Sequence, residues 1–400
     1  TALPAPGDKA MLQEFVSNWM STPLDFSKPP WHMLVVDTAE GSILFSRLHH
    51  CIGDGIALVQ VMLSMTDFEP NPDPAVWQAL APKPKEKKPP QSALTRITKP
   101  VTAVWGASRR VAGTVVSESM ETLNNPLHLI DQSKTAASYA AKGTNIAAKA
   151  TKATGKLLLI PPDPKTPLKG KLGVTKRAAW SEPMPLGDVK KIGQYMGGKI
   201  NDVLLSAMAG ALRRYLIDQG VDTQGMNFRA TVPVNLRPAD QVGQLGNDFG
   251  LVFLSLPIGI ADPFERLNEL RRRMDAIKDS PEAVIALGVL SMLGMTPTQI
   301  ADQVVNIFGM KSTLVATNVP GPRIPLYFAG EKITKIVFWV PQSGKLGLGI
   351  SIFSYNNEVM VGVAGDAGLI PDPEAILRSF QAEYDDLMVL VRQVEEDGVG

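Results

Sequence analysis

The stretch from which the fold can be read is Arg47-Leu48-His49-His50-Cys51-Ile52-Gly53-Asp54-Gly55, which holds two of the four histidines of the chain. The apolar run 42–48 before it predicts a largely buried strand. The run 56–65 after it contains no Gly or Pro and predicts a buried helix. The two histidines therefore lie at a strand-to-helix turn. Because successive strand side chains point to opposite faces, only one histidine of the pair can face a given cleft.

An imidazole presented at such a turn suits the removal of a proton from a hydroxyl or thiol, because an unperturbed histidine titrates near pH ~6.5. Asp54 follows His50 by four residues, so its carboxylate can orient the ring or turn inward to an arginine. Gly53 and Gly55 flank this aspartate and predict unusual backbone angles or a close backbone approach. The alternative is a turn in which both histidines only satisfy hydrogen bonds; the spacing and the two glycines favour the catalytic interpretation.

Composition excludes several classes of partner. The 400 residues and the apolar fraction of 44% are sufficient for two domain cores. The formal net charge of +1 gives no general attraction to nucleic acid, so we expect none as a partner. The start of the chain lacks a basic-then-apolar signal pattern, and no apolar run approaches the ~20 residues of a membrane span. We expect a cytoplasmic protein that is at most peripherally attached to a membrane or to lipid inclusions.

Cysteine and metal chemistry have little support. Cys51 is the single cysteine, so no intramolecular disulfide forms, which is consistent with a reducing cytosol. A nucleophilic pair of Cys51 with His50 is disfavoured because neighbouring strand residues face opposite ways. The sequence has no convincing cluster of metal ligands, and Gly344-Lys345 lacks the rest of a phosphate-binding loop. We therefore expect neither a metal nor a bound cofactor.

The first half of the chain begins with a predicted amphipathic helix over 8–21 and two strands over 33–36 and 43–48. Residues 82–90 are almost entirely proline, lysine and glutamate and predict an exposed linker. Residues 82–171 carry sixteen Lys and Arg against five Asp and Glu. This basic stretch could bind anionic lipid headgroups, attract the phosphates of a CoA thioester, or form a solvated crossover between domains.

The second half mixes strands and helices without regular βαβ alternation, which predicts an α/β fold with mixed sheets. Residues 283–310 are apolar but broken by Gly and Pro, and could form core or the wall of an acyl-chain site. Asn201 or Asp202 is predicted to cap a helix. The predicted strands are 174–180, 227–234, 251–256, 313–316, 333–340, 346–354 and 359–363, and the predicted helices are 186–193, 201–216, 264–277 and 373–393.

Six ordered elements resemble the wax ester synthase/diacylglycerol acyltransferase family, within the larger group of CoA-dependent acyltransferases. They cover nearly the whole chain, and together they are specific, whereas HHxxxDG alone would also fit peptide-synthetase condensation domains. The elements are HHxxxDG at 49–55, PLDxSxPLW at 23–31 with Pro30 in place of Leu, the ND motif at 200–203, VPVxLRP at 232–238, GNxFG at 245–250, and SNVPGP at 317–322 with Thr317 in place of Ser.

The resemblance implies a two-domain fold of the chloramphenicol-acetyltransferase type, with mixed sheets flanked by helices and a tunnel at the domain interface. It divides the chain into an N-terminal subdomain at 1–81, a basic crossover at 82–172 and a C-terminal subdomain at 173–400. The implied reaction moves a long-chain acyl group from acyl-CoA, as cosubstrate, to diacylglycerol or a long-chain alcohol at a membrane or lipid-droplet surface. A histidine acts as general base and no acyl-enzyme forms.

The candidate site residues follow from the matching motifs. His50 is the expected base, and the resemblance also places Asn201 in the active site. Asn201 and Asn247 are the candidate donors to the oxyanion or to the substrate. Asp54 has no obvious proton-transfer role beside the base and is assigned to structure, paired with an arginine. The catalytic candidates are His50, His49, Asp54, Gly55 and Asn201; the substrate-binding candidates are Asn247, Asp202, Thr317 and Asn318; the candidate partners of Asp54 are Arg237 and Arg47.

One departure from the family leaves alternatives open. The family has a considerably longer segment before the histidine signature, and the first residue here is Thr1, which suggests an N-terminally trimmed chain with an incomplete first subdomain. The alternatives are a condensation-type acyltransferase that uses a carrier-protein thioester, and an inactive, truncated fragment that binds lipid.

Overall fold

The computed structural model describes residues 2–72, 161–235, 249–278, 309–341 and 345–398. Most of the basic segment 82–172 and of the apolar stretch 283–310 lies outside these ranges. The three interpretations of the basic segment and the acyl-wall interpretation therefore stay predictions, as does the division of the chain at 81 and 172.

The described helices are α1 Lys9–Ser21, α2 Gly55–Leu63, α3 Leu186–Met196, α4 Ile200–Asp218, α5 Pro263–Lys278 and α6 Pro373–Glu396. The described strands are β1 Trp31–Thr38, β2 Gly41–Leu48, β3 Lys176–Trp180, β4 Met184–Pro185, β5 Phe228–Asn235, β6 Phe249–Leu256, β7 Leu314–Pro320, β8 Tyr327–Phe328, β9 Glu331–Lys332, β10 Leu348–Tyr355 and β11 Glu358–Asp366. The helices predicted in these ranges are confirmed.

The main sheet is mixed, as predicted. Its strand order is β3-β11-β10-β7-β5-β6, with β4 beside β11. Strand β7 runs parallel to both β5 and β10, whereas the β5–β6, β10–β11 and β11–β3 pairs are antiparallel. In the first part of the chain β1 and β2 form a separate antiparallel hairpin.

The two faces of the main sheet have different neighbours. Leu314 and Ala316 of β7 belong to the large buried core that also contains α3, α4 and α6 side chains. Helix α4 is buried from Asp202 through Leu212, so it lies at the centre of this layer. On the opposite face, Val319 joins a second cluster with residues of α2. Side chains thus alternate along β7 between two faces of the sheet. One face packs against the layer of helices, and the other packs against α2.

The sheet opens between β5 and β7. In the described residues these two strands pair only at Ala230–Leu314 and Thr231–Val315. Strand β5 stays paired with β6 as far as Asn235, and β7 stays paired with β10 to its end. Pro233 has no N–H to donate, which is consistent with β5 losing one neighbour there. The carboxyl ends of two parallel strands therefore diverge in the middle of the sheet.

Helix α1 covers the edge strand β3. The Ser17 hydroxyl oxygen accepts a hydrogen bond from the Ala178 N–H at 3.0 Å. One helical turn later, the Ser21 hydroxyl oxygen accepts from the Lys176 N–H at 2.8 Å. Val16 packs in the same cluster as Ala178. Two serine side chains thus satisfy donors that an edge strand would otherwise present to solvent.

The strand predicted over 333–340 is wrong. This segment crosses the face of the main sheet, where the Trp339 indole Nε1–H donates to the carbonyl oxygen of Ala179 at 3.1 Å. A side chain at Gly362 of β11 would overlap the carbonyl oxygen of Phe338. The segment has the apolar alternation of a strand because one side of it packs on the sheet, although it adds no strand to that sheet.

A buried ion pair joins three helices of the large core. Arg266 of α5 is 1% exposed, and its guanidinium contacts the carboxylate of Glu383 of α6. The other Glu383 oxygen accepts from Arg214 of α4 at 2.5 Å. The Arg266 Nε–H also donates to the carbonyl oxygen of Ser206 at 3.2 Å. Gly210 of α4 makes room for this pair, because a side chain there would overlap both charged groups.

We expect Gly210→Ala to lower the free energy of unfolding by about 1–3 kcal/mol, because an added methyl group displaces the buried pair. This direction is opposite to helix propensity, which favours Ala over Gly by ~1 kcal/mol. The matched control is Gly187→Ala in α3, where a Cβ meets no atom of the described ranges within 4 Å; it should raise stability by roughly 0.5 kcal/mol. Urea titration of both variants measures the difference, and equal stabilisation would contradict the role of Gly210.

Candidate active site

The histidine turn is fixed at both of its ends. Where β2 ends, the His49 N–H donates to the carbonyl oxygen of Pro30 at 2.9 Å. Where α2 begins, the Asp54 carboxylate accepts from the Ala57 N–H at 3.0 Å and caps the helix. Asp54 is 4% exposed. A buried cap on one side and a backbone hydrogen bond on the other leave the turn little freedom.

The two histidines contact different parts of the protein. The Nδ1 atom of His49 accepts from the Cys51 N–H at 3.2 Å, and its ring lies edge-on to Phe26 at 5.3 Å between centroids. His49 is exposed, whereas His50 is half-buried. The ring of His50 lies 6.5 Å from that of Phe249, the first residue of β6. His49 is thus engaged within the turn and with the PLDxSxPLW element, and His50 faces the main sheet.

Helix α2 anchors the turn to the second half of the chain. Val59 and Leu63 pack against a buried cluster that includes Val319 of β7. Just beyond α2, Asp67 and Tyr327 exchange two backbone hydrogen bonds of 2.8 Å. Apolar packing and this small bridge therefore set the position of His50 relative to the sheet.

Two other predicted site residues form a hydrogen bond with each other. Asn201 lies in the first turn of α4, and its Oδ1 accepts from the Nδ2 of Asn318 on β7 at 2.7 Å. Asn318 shares its strand face with Leu314 and Ala316, which pack into the helical layer. The ND motif and the TNVPGP motif are thus joined through their asparagines, a contact that the sequence did not predict.

His50 and the Asn201–Asn318 pair lie at the same end of the main sheet, where β5 and β7 finish. His50 approaches this end from one face of the sheet and Asn201 from the other. Phe249, beside His50, pairs with Asn235 at the carboxyl end of β5. Asn318 lies near the carboxyl end of the parallel strand β7. At this end β5 and β7 diverge. The gap between the two strands therefore lies between His50, on the side of α2, and Asn201 of α4. Sites in open α/β sheets commonly occupy the carboxyl edge of parallel strands.

Asp202 and Thr317 do not take part in the contact between Asn201 and Asn318. Asp202 is 2% exposed, and its carboxylate accepts from the Lys199 N–H at 2.8 Å, which closes the first turn of α4. The helix begins at Ile200, so neither Asn201 nor Asp202 occupies the N-cap position. Thr317 lies on the opposite face of β7 from Asn318 and pairs with Ser351 of β10. Their predicted roles in substrate binding stay predictions.

The sequence predicted unusual backbone angles or a close backbone approach at Gly55, and this prediction is wrong. Gly55 is the first residue of α2 and does not belong to the glycines with positive φ. Among the described residues, nothing lies within 4 Å of the position that a Cβ would take there. Neither an unusual angle nor a close backbone approach explains this glycine. The absence of a side chain instead keeps the start of α2 uncovered beside the histidine turn.

The guanidinium of Arg47 binds the end of α1. It donates to the carbonyl oxygens of Trp19 at 2.9 Å and of Thr22 at 2.6 Å, and it lies 5.2 Å from the Trp19 ring centroid. Burial lowers the pKa of Arg47 below its usual value. The other candidate partner of Asp54, Arg237, lies outside the described residues, as does Asn247. The pairing of Asp54 with an arginine therefore stays a prediction.

Phe26 and Phe249 are site residues that sequence reasoning did not select, although both lie inside motifs that it recognised. Each contributes a ring to one histidine. Phe249 occupies the defined aromatic position of GNxFG, which gave a signal in the sequence. Phe26 occupies a variable position of PLDxSxPLW, so the motif gave no signal for it.

Within the described ranges, no group of three His, Cys, Asp or Glu side chains is arranged to hold a metal ion. No helix in the described part combines the length and the apolar character needed to cross a bilayer. These findings do not change the set of candidate residues.

The fold is of the chloramphenicol-acetyltransferase type shared with peptide-synthetase domains. The structure is similar to a wax ester synthase/diacylglycerol acyltransferase from Marinobacter aquaeolei VT8, with a TM-score of 0.62, 19% identity, and coverage of 98% of this chain and 78% of that one. It is also similar to a cyclization-docking bidomain of a Sorangium cellulosum peptide synthetase, with a TM-score of 0.50, 13% identity, and coverage of 98% and 68%. The predicted fold class is confirmed.

The sequence matches the wax ester synthase/diacylglycerol acyltransferase catalytic domain over residues 1–204 and the C-terminal domain of the same family over 245–388. A putative diacylglycerol O-acyltransferase of Mycobacterium tuberculosis (strain CDC 1551 / Oshkosh) is 27% identical over 400 residues, covering 97% of this chain and 73% of the relative. A probable diacylglycerol O-acyltransferase of Mycobacterium tuberculosis (strain ATCC 25618 / H37Rv) is 24% identical over 398 residues, covering 95% of this chain and 76% of the relative. The chain belongs to this family of acyltransferases, as the sequence motifs predicted.

We expect Asp54→Ala to lower the free energy of unfolding by about 1 kcal/mol or more, because the first turn of α2 loses its cap inside the protein. Asp8→Ala is the matched control: Asp8 caps α1 by the same 3.0 Å bond to the third residue on, but is exposed. It should cost less, because water can replace the lost acceptor. Chemical denaturation measures both, and a larger loss for Asp8→Ala would contradict this assignment.

Proposed function

We propose that this chain transfers a long-chain acyl group from acyl-CoA to diacylglycerol or a long-chain alcohol, with His50 as the general base. Membership of the wax ester synthase/diacylglycerol acyltransferase family supports the reaction class. The relatives from Mycobacterium tuberculosis bear the name of diacylglycerol O-acyltransferases, which supports diacylglycerol as an acceptor, and the family name includes wax esters. Both alcohols offer the same reactive group, a hydroxyl.

The observation that carries the choice of base is the different engagement of the two histidines. His49 uses Nδ1 as an acceptor inside its own turn and packs against Phe26. His50 lies toward the carboxyl edge of the main sheet, beside Phe249. A general base must reach the proton that it removes, and the sheet opening offers a place for a hydroxyl between the two halves.

In the proposed reaction His50 takes the proton of the acceptor hydroxyl while the hydroxyl oxygen attacks the thioester carbonyl carbon. The carbon–oxygen bond forms and the carbonyl electrons move to oxygen, which gives a tetrahedral oxyanion. When the oxyanion collapses, the carbon–sulfur bond breaks and the protonated His50 donates its proton to the CoA sulfur. The acyl group passes directly to the acceptor, so no acyl-enzyme is formed.

The oxyanion needs a hydrogen-bond donor, and we assign that role to Asn201. Its Oδ1 is occupied by Asn318. The Nδ2 amino group lies in the same plane as Oδ1, on the other side of the Cβ–Cγ bond, and supplies the two donors. A donor aimed at a developing oxyanion contributes ~3 kcal/mol to the lowering of a barrier. Thr317 is proposed to line the substrate path, and Asn247 stays the alternative donor. The buried Asp202 carboxylate holds the first turn of the helix that carries Asn201.

Asp54 and Gly55 support the base without touching the reacting atoms. The Asp54 carboxylate holds the first turn of α2. The open space at Gly55 leaves room for a substrate beside the histidine turn. Peripheral binding to a membrane or lipid inclusion remains part of the proposal, since both the acyl donor and the acceptor carry long apolar chains.

We expect His50→Ala to reduce acyl transfer by about 10²–10⁴-fold, the usual contribution of a general base. His49→Ala is the matched control and should keep part of the activity, because it removes a packing contact and a local hydrogen bond. The measurement is the release of free CoA thiol from palmitoyl-CoA, with hexadecanol or a diacylglycerol supplied separately.

The outcomes separate the alternatives. Release of CoA thiol that requires both an added acceptor and His50 supports the proposal and identifies the preferred alcohol. Full activity in both histidine variants would refute a histidine base. If only an acyl group on a carrier-protein thioester is transferred, the condensation-type alternative replaces ours; if lipid binds without turnover from either donor, the chain acts as a lipid-binding fragment.

A further inference from the structure

The amide of Asn201 can present either its oxygen or its nitrogen to a substrate, depending on a rotation of about 180° about its last side-chain bond. These two orientations have nearly the same shape but opposite chemistry, because only the nitrogen donates hydrogen bonds. Asn201 is exposed, so its own packing does not choose between them. Another group must therefore fix the orientation if Asn201 stabilises an oxyanion.

The structure assigns this task to Asn318: we propose that Asn318 is a positioning residue that holds the Oδ1 of Asn201 and thereby turns the Nδ2 of Asn201 toward the reacting carbonyl. Its Nδ2 donates to the Oδ1 of Asn201 at 2.7 Å. Among the described residues, this is the sole hydrogen bond that either side-chain amide makes. The inference rests on the proposed role of Asn201, and it replaces the substrate-binding role predicted for Asn318 by a positioning role in which Asn318 does not itself touch substrate.

Both partners are held by rigid elements. Asn318 lies inside β7, opposite Ile352 of β10, and Val319 next to it is buried. Asn201 lies beside Asp202, whose carboxylate fixes the first turn of α4 through the Lys199 N–H. The separation of the two amides is therefore set by the packing of α4 on the sheet. The reversed pair, in which Asn201 donates to Asn318, fits the same separation. The observed pair is the one that leaves the Nδ2 of Asn201 directed to the substrate, and it requires a residue at 318 that can donate.

The position at the start of α4 suits an anion. The amino end of a helix carries a partial positive charge and unpaired N–H groups, which favour nearby negative charge. If the Nδ2 of Asn201 faces the substrate, an oxyanion bound there lies near this end of the helix. The opposite orientation would place the carbonyl oxygen of the amide against the oxyanion and repel it.

The first test compares Asn318→Ala with Asn318→Asp. Loss of the hydrogen bond in Asn318→Ala should lower kcat about fivefold, with little change in the KM for acyl-CoA. The carboxylate of Asn318→Asp can only accept, so it should reverse the Asn201 amide and reduce kcat to the level of Asn201→Ala or below it. Asn227→Ala is the matched control: this asparagine precedes β5 at the other end of the sheet, bonds Gly225 and Arg273, and should leave kcat unchanged.

The second test is a double-mutant cycle. If Asn318 acts through Asn201, neither substitution at 318 should reduce kcat further in the Asn201→Ala background. If the decrease in kcat of the double variant equals the product of the decreases in the two single variants, the proposal is overturned. Full turnover of His50→Ala would instead refute the proposed base, so failure of the function and failure of this inference give different results.

A third readout does not depend on turnover. In protein labelled with ¹⁵N at asparagine, the side-chain amide resonances of Asn318 should move when Asn201 is replaced by Ala, because the donated hydrogen bond is lost. Unchanged Asn318 amide resonances in Asn201→Ala, with the fold confirmed by the backbone spectrum, would overturn the inference whatever the activity of the chain.

Discussion

The burial of α4 against the main sheet is the constraint on which most of the second half depends. Its side chains from Asp202 to Leu212 are buried between β-strands and neighbouring helices. The helix can approach so closely because Gly210 leaves space for the Arg266–Glu383 pair. Removing one partner of a buried pair is costly, so the pair fixes how α5 and α6 sit on α4. The same packing places Asn201, at the exposed beginning of the helix, against β7.

The divergence of β5 and β7 interrupts the main sheet beside this packed core. A continuous sheet would keep His50 and Asn201 apart, because they approach from opposite faces. With only two residue pairs joining β5 to β7 in the described part of the chain, the carboxyl ends separate while each strand keeps its outer neighbour. In the proposed reaction, the base and the oxyanion donor are therefore carried by rigid elements on the two sides of the point where the pairing of β5 with β7 ends.

Local patterns predicted the helices and the fold class, because amphipathic periodicity and motif spacing are properties of short segments. Alternation along the strand also predicted that His49 and His50 would face different ways. Residues 333–340 were assigned as a strand because an extended segment lying on a sheet has the same alternation as a strand within one. The Asn201–Asn318 bond links residues 117 positions apart, so no local pattern contained it. Gly55 was interpreted through backbone geometry, whereas its relevant property is the space that it leaves.

The serine hydroxyls of α1 have a consequence for the behaviour of the whole chain in concentrated solution. They cover the Lys176 and Ala178 donors of β3, the outermost strand of the main sheet on that side. An uncovered edge strand is a template for pairing with a second chain and so for aggregation. Helix α1 thus protects the second half against self-association, and its 13 residues couple the colloidal stability of the protein to the docking of its first segment.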